Sequence, residues 1–320
     1  MPPVPHRPPG IVLTSGAATH VGHVRTLNED AFLEAGGAYV VADGMGGHQA
    51  GEVASAIVVA TIEELAARSI PSIEMAPELV RAANEAVRAE AAASGRVGMG
   101  STLVGLFLMK NGDEESLVVV NVGDSRCYVL SRDELRQVTK DHSYVQDLVD
   151  RGEVTAEEAS HHPERNVVTR AIGIEPVVAG DFHLLPHAVM RVLLCSDGVS
   201  SELSSEQIRQ ILAEPSTPRE AAVALIDAVL TGRAADNATA LVVDVDVDVD
   251  ETELPAAGGS GRAEDITAPV PVRVDTERGT TLITGVPLSV LVPTPQTEPL
   301  VTAVIEEDVE SATVIDEVPR

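Results

Sequence analysis

The apolar positions of this chain fall into two kinds of run: short uninterrupted blocks, and longer stretches in which they return every three to five residues. Residues 39–41, 102–109, 117–122, 127–130, 189–195 and 240–245 are rich in Val and Leu, and most are bounded by Gly, Asn or Asp. They predict strands. Val53, Ile57, Ile62 and Leu65, then Leu79, Val80, Ala83 and Val87, recur at helical steps, with Pro71 and Pro77 between the two runs. They predict a packed pair of helices. A second pair is expected over 205–212 and 218–230, with Pro218 where a first helical turn accepts proline. The chain has no internal repeats.

From Glu251 onward Pro, Thr, Gly and acids replace the long apolar runs. The folded part is therefore expected over 11–246, between a disordered Pro-rich segment, 1–10, and a disordered acidic Pro/Thr-rich tail, 247–320. The alternation Asp244, Asp246, Asp248, Asp250 reads as one solvated face of a strand. A calcium loop would need a Gly and a terminal Glu that are missing.

Charge narrows the function. The 320 residues hold 22 Lys+Arg against 50 Asp+Glu, a formal net charge of −28. Nucleic acid and anionic membranes are poor partners for such a chain, and basic groups or cations good ones. The uncharged stretch 279–297 is broken by Pro287, Pro293 and Pro295 and falls short of the roughly 20 apolar residues of a membrane span. Cys127 and Cys195 are isolated, so neither a thiolate zinc site nor a disulfide framework is expected. The opening MPPVPHRPPG lacks the apolar run of an export leader, and a cytoplasmic location is expected.

Four aspartates stand at the ends of predicted strands: Asp43 after 39–41, Asp124 after 117–122, Asp197 after 189–195, and Asp236 ahead of 240–245. Strands sharing one core can bring such carboxylates onto one rim, where they repel unless a cation joins them. An all-oxygen ligand set selects a hard ion, Mg²⁺ or Mn²⁺. Any one Asp-Gly or Gly-Asp is an ordinary turn dipeptide, so the company of these four matters. RTLNED (25–30), VADGMGGH (41–48), GSTL (100–103), NVGDSR (121–126), TKDHS (139–143), NVVTRAIG (166–173), CSDG (195–198) and DNAT (236–239) follow in order.

This ordered set resembles the type 2C (PPM) family of metal-dependent protein serine/threonine phosphatases, in its bacterial form, over nearly all of 11–246. The resemblance implies an α+β fold: a central β-sandwich of two mainly antiparallel sheets flanked by pairs of helices, in four αββα layers. It implies two Mn²⁺ or Mg²⁺ ions, with Asp43 bridging them, the Gly44 carbonyl on one, and Asp197 and Asp236 on the other. The bridging water is then the nucleophile. Arg25 matches the phosphate-binding arginine; Glu29 and Asp30, with Asn237, match groups behind the ligands. Asp124 corresponds to the acid that joins Asp197 at a third, weaker site. Residues 141–170, opening with Asp141, His142 and Ser143, match a mobile flap, and His161 and His162 within it read as solvated loop histidines. Animal relatives place a proposed general acid, a histidine, where this chain has Met45, and a thioether donates no proton. His48 is a candidate by proximity alone.

The expected partners are phosphorylated proteins, with a Ser/Thr kinase and its substrates, and the chain is expected to be a monomer. Two other readings stay open: a catalytically silent interaction module on the same fold, and a phosphatase dedicated to one small regulatory protein.

Overall fold

A computed structural model describes residues 10–47, 50–68, 71–96, 98–174, 180–214, 217–248, 271–276 and 279–284. In chain order the elements are β1 (Gly10–His20), β2 (Asp30–Ala35), β3 (Ala38–Met45), α1 (Ala50–Arg68), α2 (Ala76–Ser94), β4 (Gly100–Ser101), β5 (Leu103–Asn111) and β6 (Glu114–Val122). There follow β7 (Arg126–Ser131), β8 (Glu134–Gln137), α3 (Tyr144–Asp150), α4 (Ala156–Ser160), β9 (Asp181–Leu185), β10 (Met190–Cys195), α5 (Asp197–Ser200), α6 (Ser205–Ala213), α7 (Pro218–Leu230) and β11 (Ala238–Asp248).

The strands form two antiparallel sheets, ordered β1-β11-β10-β7-β8 and β2-β3-β5-β6-β9, with β4 paired to β3. Burial on both faces explains the uninterrupted apolar blocks. In β3, Val40 and Ala42 pack toward α1 and α2, while Tyr39 and Val41 pack into the space between the sheets. In β10, Val192 and Leu194 fill that same space, while Leu193 and Cys195 join a third cluster with α6 and α7. Four layers, helix–sheet–sheet–helix, thus enclose three apolar clusters. Both free cysteines are buried.

Helix ends are fixed locally. Thr217 and Ser204 close reciprocal capping boxes with Glu220 and Gln207 at the starts of α7 and α6. Gly95, at φ 70°, ends α2 in the left-handed region. Among the described residues no helix is long and apolar enough to cross a membrane.

Strand β11 runs two residues past the expected boundary, to Asp248, which pairs with Gly10. Along it the acidic alternation divides: Asp244 is bonded by Arg191 at 2.6 and 2.8 Å, whereas Asp246 is exposed. Beyond Asp248 only the antiparallel backbone pairing of Pro271–Thr276 with Gly279–Thr284 is described. The rest of the expected tail, residues 1–9 of the N-terminal segment, and His48 lie outside the described residues.

Leu194 is fully buried between the sheets, one strand end away from the acidic rim. Leu194→Ala is expected to cost about 2–5 kcal/mol, read as a lower urea midpoint. A change under about 1 kcal/mol would mean that the space between the sheets is loosely filled.

Candidate active site

Pairing register decides where the aspartates meet. Asp43 lies near the C-terminal end of β3 and Asp124 just past β6, in one sheet; Asp197 follows β10 and Asp236 precedes β11, in the other. All four ends open onto one cleft of about 360 Å³. Asp43, Asp124, Asp197 and Asp236 line it with Arg25, Glu29, Gly44 and Asn237, all of them expected from the sequence. A second groove, about 400 Å³, lies at the opposite end of the five-stranded sheet, where Arg191 already neutralises Asp244. The chemistry belongs to the first.

Hydrogen bonds hold the Asp43 backbone and the Asp236 carboxylate. The Asp43 N–H donates to Thr102 Oγ1 at 2.9 Å, its carbonyl accepts from Thr102 N–H at 2.8 Å, and Thr102 Oγ1 lies 2.7 Å from Ser125 Oγ. Asp236 Oδ1 accepts the Asn237 N–H at 2.9 Å, and its Oδ2 accepts Arg25 Nη2 at 2.8 Å. Asn237 is a staple. Its Oδ1 accepts the Glu29 N–H at 2.8 Å, and its Nδ2 donates to the carbonyls of Val21 and Leu27 at 3.0 and 2.9 Å. The loop carrying Arg25 and Glu29 is thereby tied to the head of β11.

Two glycines permit these approaches. A Cβ on Gly198 would collide with the Asn237 carbonyl, and one on Gly44 with the Gly51 carbonyl at the start of α1. The resemblance asks of Gly44 only its carbonyl oxygen. The observed constraint is the helix packed against its back.

Asp30 sits beneath the rim, directly paired with Asp43 across β2 and β3. Its Oδ2 accepts from Ser196 Oγ at 2.8 Å and Thr239 Oγ1 at 2.7 Å. Thr239 is in turn 2.7 Å from Thr19 Oγ1, which accepts from Asn28 Nδ2 at 2.9 Å. Asn28, assigned no role from the sequence, ends this chain of donors. Asp30 Oδ1 is buried with no hydrogen-bond partner.

The electrostatics follow from this crowding. Burial first, and the charge of Asp197 with it, push Asp30 and Asp124 up to about 7, the Thr239 and Ser196 hydroxyls offsetting part of the rise at Asp30. Asp43 is held well above the ordinary carboxylate value by desolvation and then by Asp30, Asp197, Asp124 and Asp236. Asp197 is raised by burial and by Asp236, and its carboxyl group is in hydrogen-bonding contact with that of Asp43. Burial raises Glu29 as well.

This donor set fits a hard divalent cation. Every cleft acid offers oxygen, no thiolate or imidazole intrudes among the described lining residues, and the orphaned Asp30 oxygen sits just behind. Among the described residues no three His, Cys, Asp or Glu side chains already converge as a ready cage. Asp236 turns its Oδ2 to Arg25 instead.

Asp141, His142 and Ser143 do not line the cleft. Asp141 is bonded by Arg126 Nε and Nη2 at 2.9 and 2.6 Å, His142 is buried behind Gly123, and Ser143 caps α3. From the expected flap, Asn166 and Val168 are the lining residues. His161 Nδ1 lies 2.8 Å from Ser160 Oγ, and His162 approaches the Tyr144 ring. The supporting hydroxyls of Thr102, Ser125, Ser196 and Thr239 were not singled out from the sequence. Thr102, Ser125 and Thr239 sit inside the quoted motifs GSTL, NVGDSR and DNAT.

A model of the family described as protein phosphatase 2C matches residues 19–231. The serine/threonine protein phosphatase PstP of Mycobacterium tuberculosis is 39% identical over 274 residues, covering 81% of this chain and 50% of that protein. The chain thus spans about half the length of that relative. The serine/threonine phosphatase stp of Listeria innocua is 34% identical over 244 residues, 71% of this chain and 93% of that protein. Among solved structures, the catalytic domain of PstP in complex with 2 manganese ions matches with a TM-score of 0.65 and 38% identity, over 74% of this chain and 99% of that one. Stp1 from Staphylococcus aureus matches with a TM-score of 0.69 and 30% identity, over 76% and 99%. With this match across the folded part, and the acidic cleft its strands build, the chain belongs to the protein phosphatase 2C family.

Proposed function

We propose that the chain hydrolyses phosphoserine and phosphothreonine esters in proteins, in opposition to Ser/Thr kinases. The observation that carries this reading is the meeting of Asp43, Asp124, Asp197 and Asp236 with Arg25 around one cleft. Names and contents of the relatives support it: they are serine/threonine phosphatases, and one structure holds two manganese ions. Asp43, the Gly44 carbonyl, Asp197 and Asp236 would hold two Mn²⁺ or Mg²⁺ ions, and Asp124 with Asp197 a third. Cations bound there supply positive charge that activates water and neutralises the phosphate oxygens.

The chain's own groups do the rest. Hydrolysis adds a water oxygen to phosphorus, breaks the P–O bond to the serine or threonine, and delivers a proton to that leaving oxygen. The Arg25 guanidinium, about half exposed at the rim, can hold two phosphate oxygens with its planar fork. Asn237 fixes Arg25's loop opposite Asp236. Met45 lines the cleft without a transferable proton, and the described lining contains no His, Lys, Cys or Tyr. His48 lies outside the described residues; among the described lining, solvent or a carboxyl group is left to protonate the leaving oxygen.

The direct test is turnover of p-nitrophenyl phosphate and a phosphothreonine peptide by the purified chain with Mn²⁺ and with EDTA. Activity is expected with Mn²⁺ and lost with EDTA; turnover that survives EDTA defeats the metal reading, and none in either condition favours the silent module. Arg25→Ala should lower kcat/KM by about tenfold, mainly through KM, since a half-exposed charged hydrogen bond to phosphate is lost.

Stability should report the crowded carboxyls. In EDTA the native state keeps protons on Asp30 and Asp124 up to about pH 7, whereas an ordinary aspartate releases them near 3.8. Stability from these groups is full below that value and is lost as pH rises toward 7. The half-buried His183, whose pKa is lowered by desolvation, works with the opposite sign in part of this interval. Comparison with Asp30→Asn, which should flatten the fall, isolates the carboxyls. Mn²⁺ should raise Tm more at pH 8 than at pH 5, where protons compete for the same oxygens. Equal shifts at both values would show that the cleft acids do not bind the ion.

A further inference from the structure

A buried imidazole sits directly behind the cleft with its ring and backbone polar atoms engaged. His142 is 7% exposed. Its Nδ1 accepts the Gly123 N–H at 3.1 Å, its own N–H donates to the Gly123 carbonyl at 2.9 Å, and its carbonyl accepts the Thr169 N–H at 2.8 Å. Since Nδ1 is an acceptor, the hydrogen-bond network assigns the ring proton to Nε2, which faces Asp181 Oδ2 at 3.1 Å. Asp181 is buried as the first residue of β9 and pairs with Asn121 of β6, so the sheet itself fixes the acceptor. Arg170 Nη1, 3.6 Å from Asp181 Oδ1 and 3.4 Å from Nε2, adds a counter-charge; a guanidinium only donates, so the acceptor that the Nε2 proton faces is Asp181.

Two parts of the cleft hang on this ring. Gly123 precedes Asp124, has φ 110°, and would press any Cβ into the Thr102 side chain that supports Asp43. Its backbone has no slack. On the other side, Ser143 bridges to Val168, and the Tyr144 N–H donates to the Val167 carbonyl at 2.9 Å. Asn166 and Val168, on that same segment, line the cleft.

We propose that His142, oriented by Asp181, is a positioning residue: it holds the Asp124 carboxylate and the Asn166–Val168 wall in register and so sets the cleft's affinity for divalent cation. The inference rests on the metal-dependent reading above. It differs from simple core filling because it requires both ring nitrogens to be engaged in a fixed sense.

The test measures the Mn²⁺ midpoint of the full chain in two ways, by thermal shift and by p-nitrophenyl phosphate turnover. His142→Leu keeps the bulk and removes both ring hydrogen bonds; its midpoint should rise about tenfold. His142→Asn, whose Oδ1 can replace the Nδ1 acceptor, should recover most of that loss. In an Asp124→Asn background His142→Leu should add little, because both changes act on one ligand. Val58→Ala, a cavity in the α1 core, controls for lost stability and should leave the midpoint in place. A His142→Leu midpoint within about twofold of the parent, or full additivity with Asp124→Asn, overturns the inference. Should His142→Leu fail to fold, Asp181→Ala carries the test: the ring loses its orienting partner and the midpoint should rise several-fold, and an unmoved midpoint overturns it. A parent chain with no Mn²⁺ response in either assay removes the metal-dependent reading and this inference with it; a parent response with an unmoved variant removes this inference alone.

Discussion

Under the proposed reaction a phosphate ester would bring negative charge to a cleft already walled by carboxylates, and the construction of the site answers that conflict. Two like charges about 4 Å apart cost on the order of 4 kcal/mol at an effective dielectric near 20. Here Asp43 and Asp197 touch, Asp30 lies behind them, and Asp124 and Asp236 complete the rim. Arg25 is one positive group against these, and it stands half exposed at the edge. Protons relieve both the burial of charge and the repulsion at low pH, which is why these carboxyl groups are pushed to about 7. At neutral pH, hard cations held as proposed would relieve it and at the same time create a surface that an anionic substrate can approach.

The fold keeps these groups close despite their repulsion by spreading the restraint over rigid elements. Asp43 and Asp124 come from one sheet, Asp197 and Asp236 from the other, so the three apolar clusters between the layers hold the acids together. Small hydroxyl groups then fix the Asp43 backbone and the Asp30 carboxylate. Thr102 does this for Asp43, and Ser196 and Thr239 do it for Asp30. Close contacts at Gly44 and Gly198 leave no room for a side chain. Such a site resists collapse to a more comfortable arrangement, which is the condition for binding an ion tightly in a set geometry.

The strands legible in the sequence and those that were not divide along a physical line. Strands β3, β5, β6, β7, β10 and β11 are central in their sheets, covered on both faces, and their apolar blocks announce them. The missed β1, β2, β8 and β9 are the four sheet edges. Edge strands are half covered; β1 reads GIVLTSGAATH, where the brief run Ile11–Leu13 gives way to small and polar residues and Val12 is about half exposed. The site divides in the same way. Carboxylates at the ends of central strands could be read directly, as could Arg25 within its motif. Thr102, Ser196 and Thr239 act through single hydroxyls that are indistinguishable in sequence from ordinary polar residues. His142 and Asp181 lie 39 positions apart and become a pair only when β9 is laid beside β6.

The pairing of Arg25 with Asp236 joins two roles that the family resemblance assigns separately, phosphate holding and ion holding. Both side chains are substantially exposed, at 49% and 38%, and an ion pair of that kind contributes about 0–1 kcal/mol once solvent screening is counted. Neither partner is therefore committed. A cation at Asp236 or a phosphate at Arg25 offers each a stronger attraction than the other does, and because Asn237 anchors both the Arg25 loop and the Asp236 carboxylate, the exchange needs only side-chain rotation. The rim can thus trade an internal ion pair for external ones while the backbone beneath it, locked by Gly198 against Asn237, stays where the strands have put it.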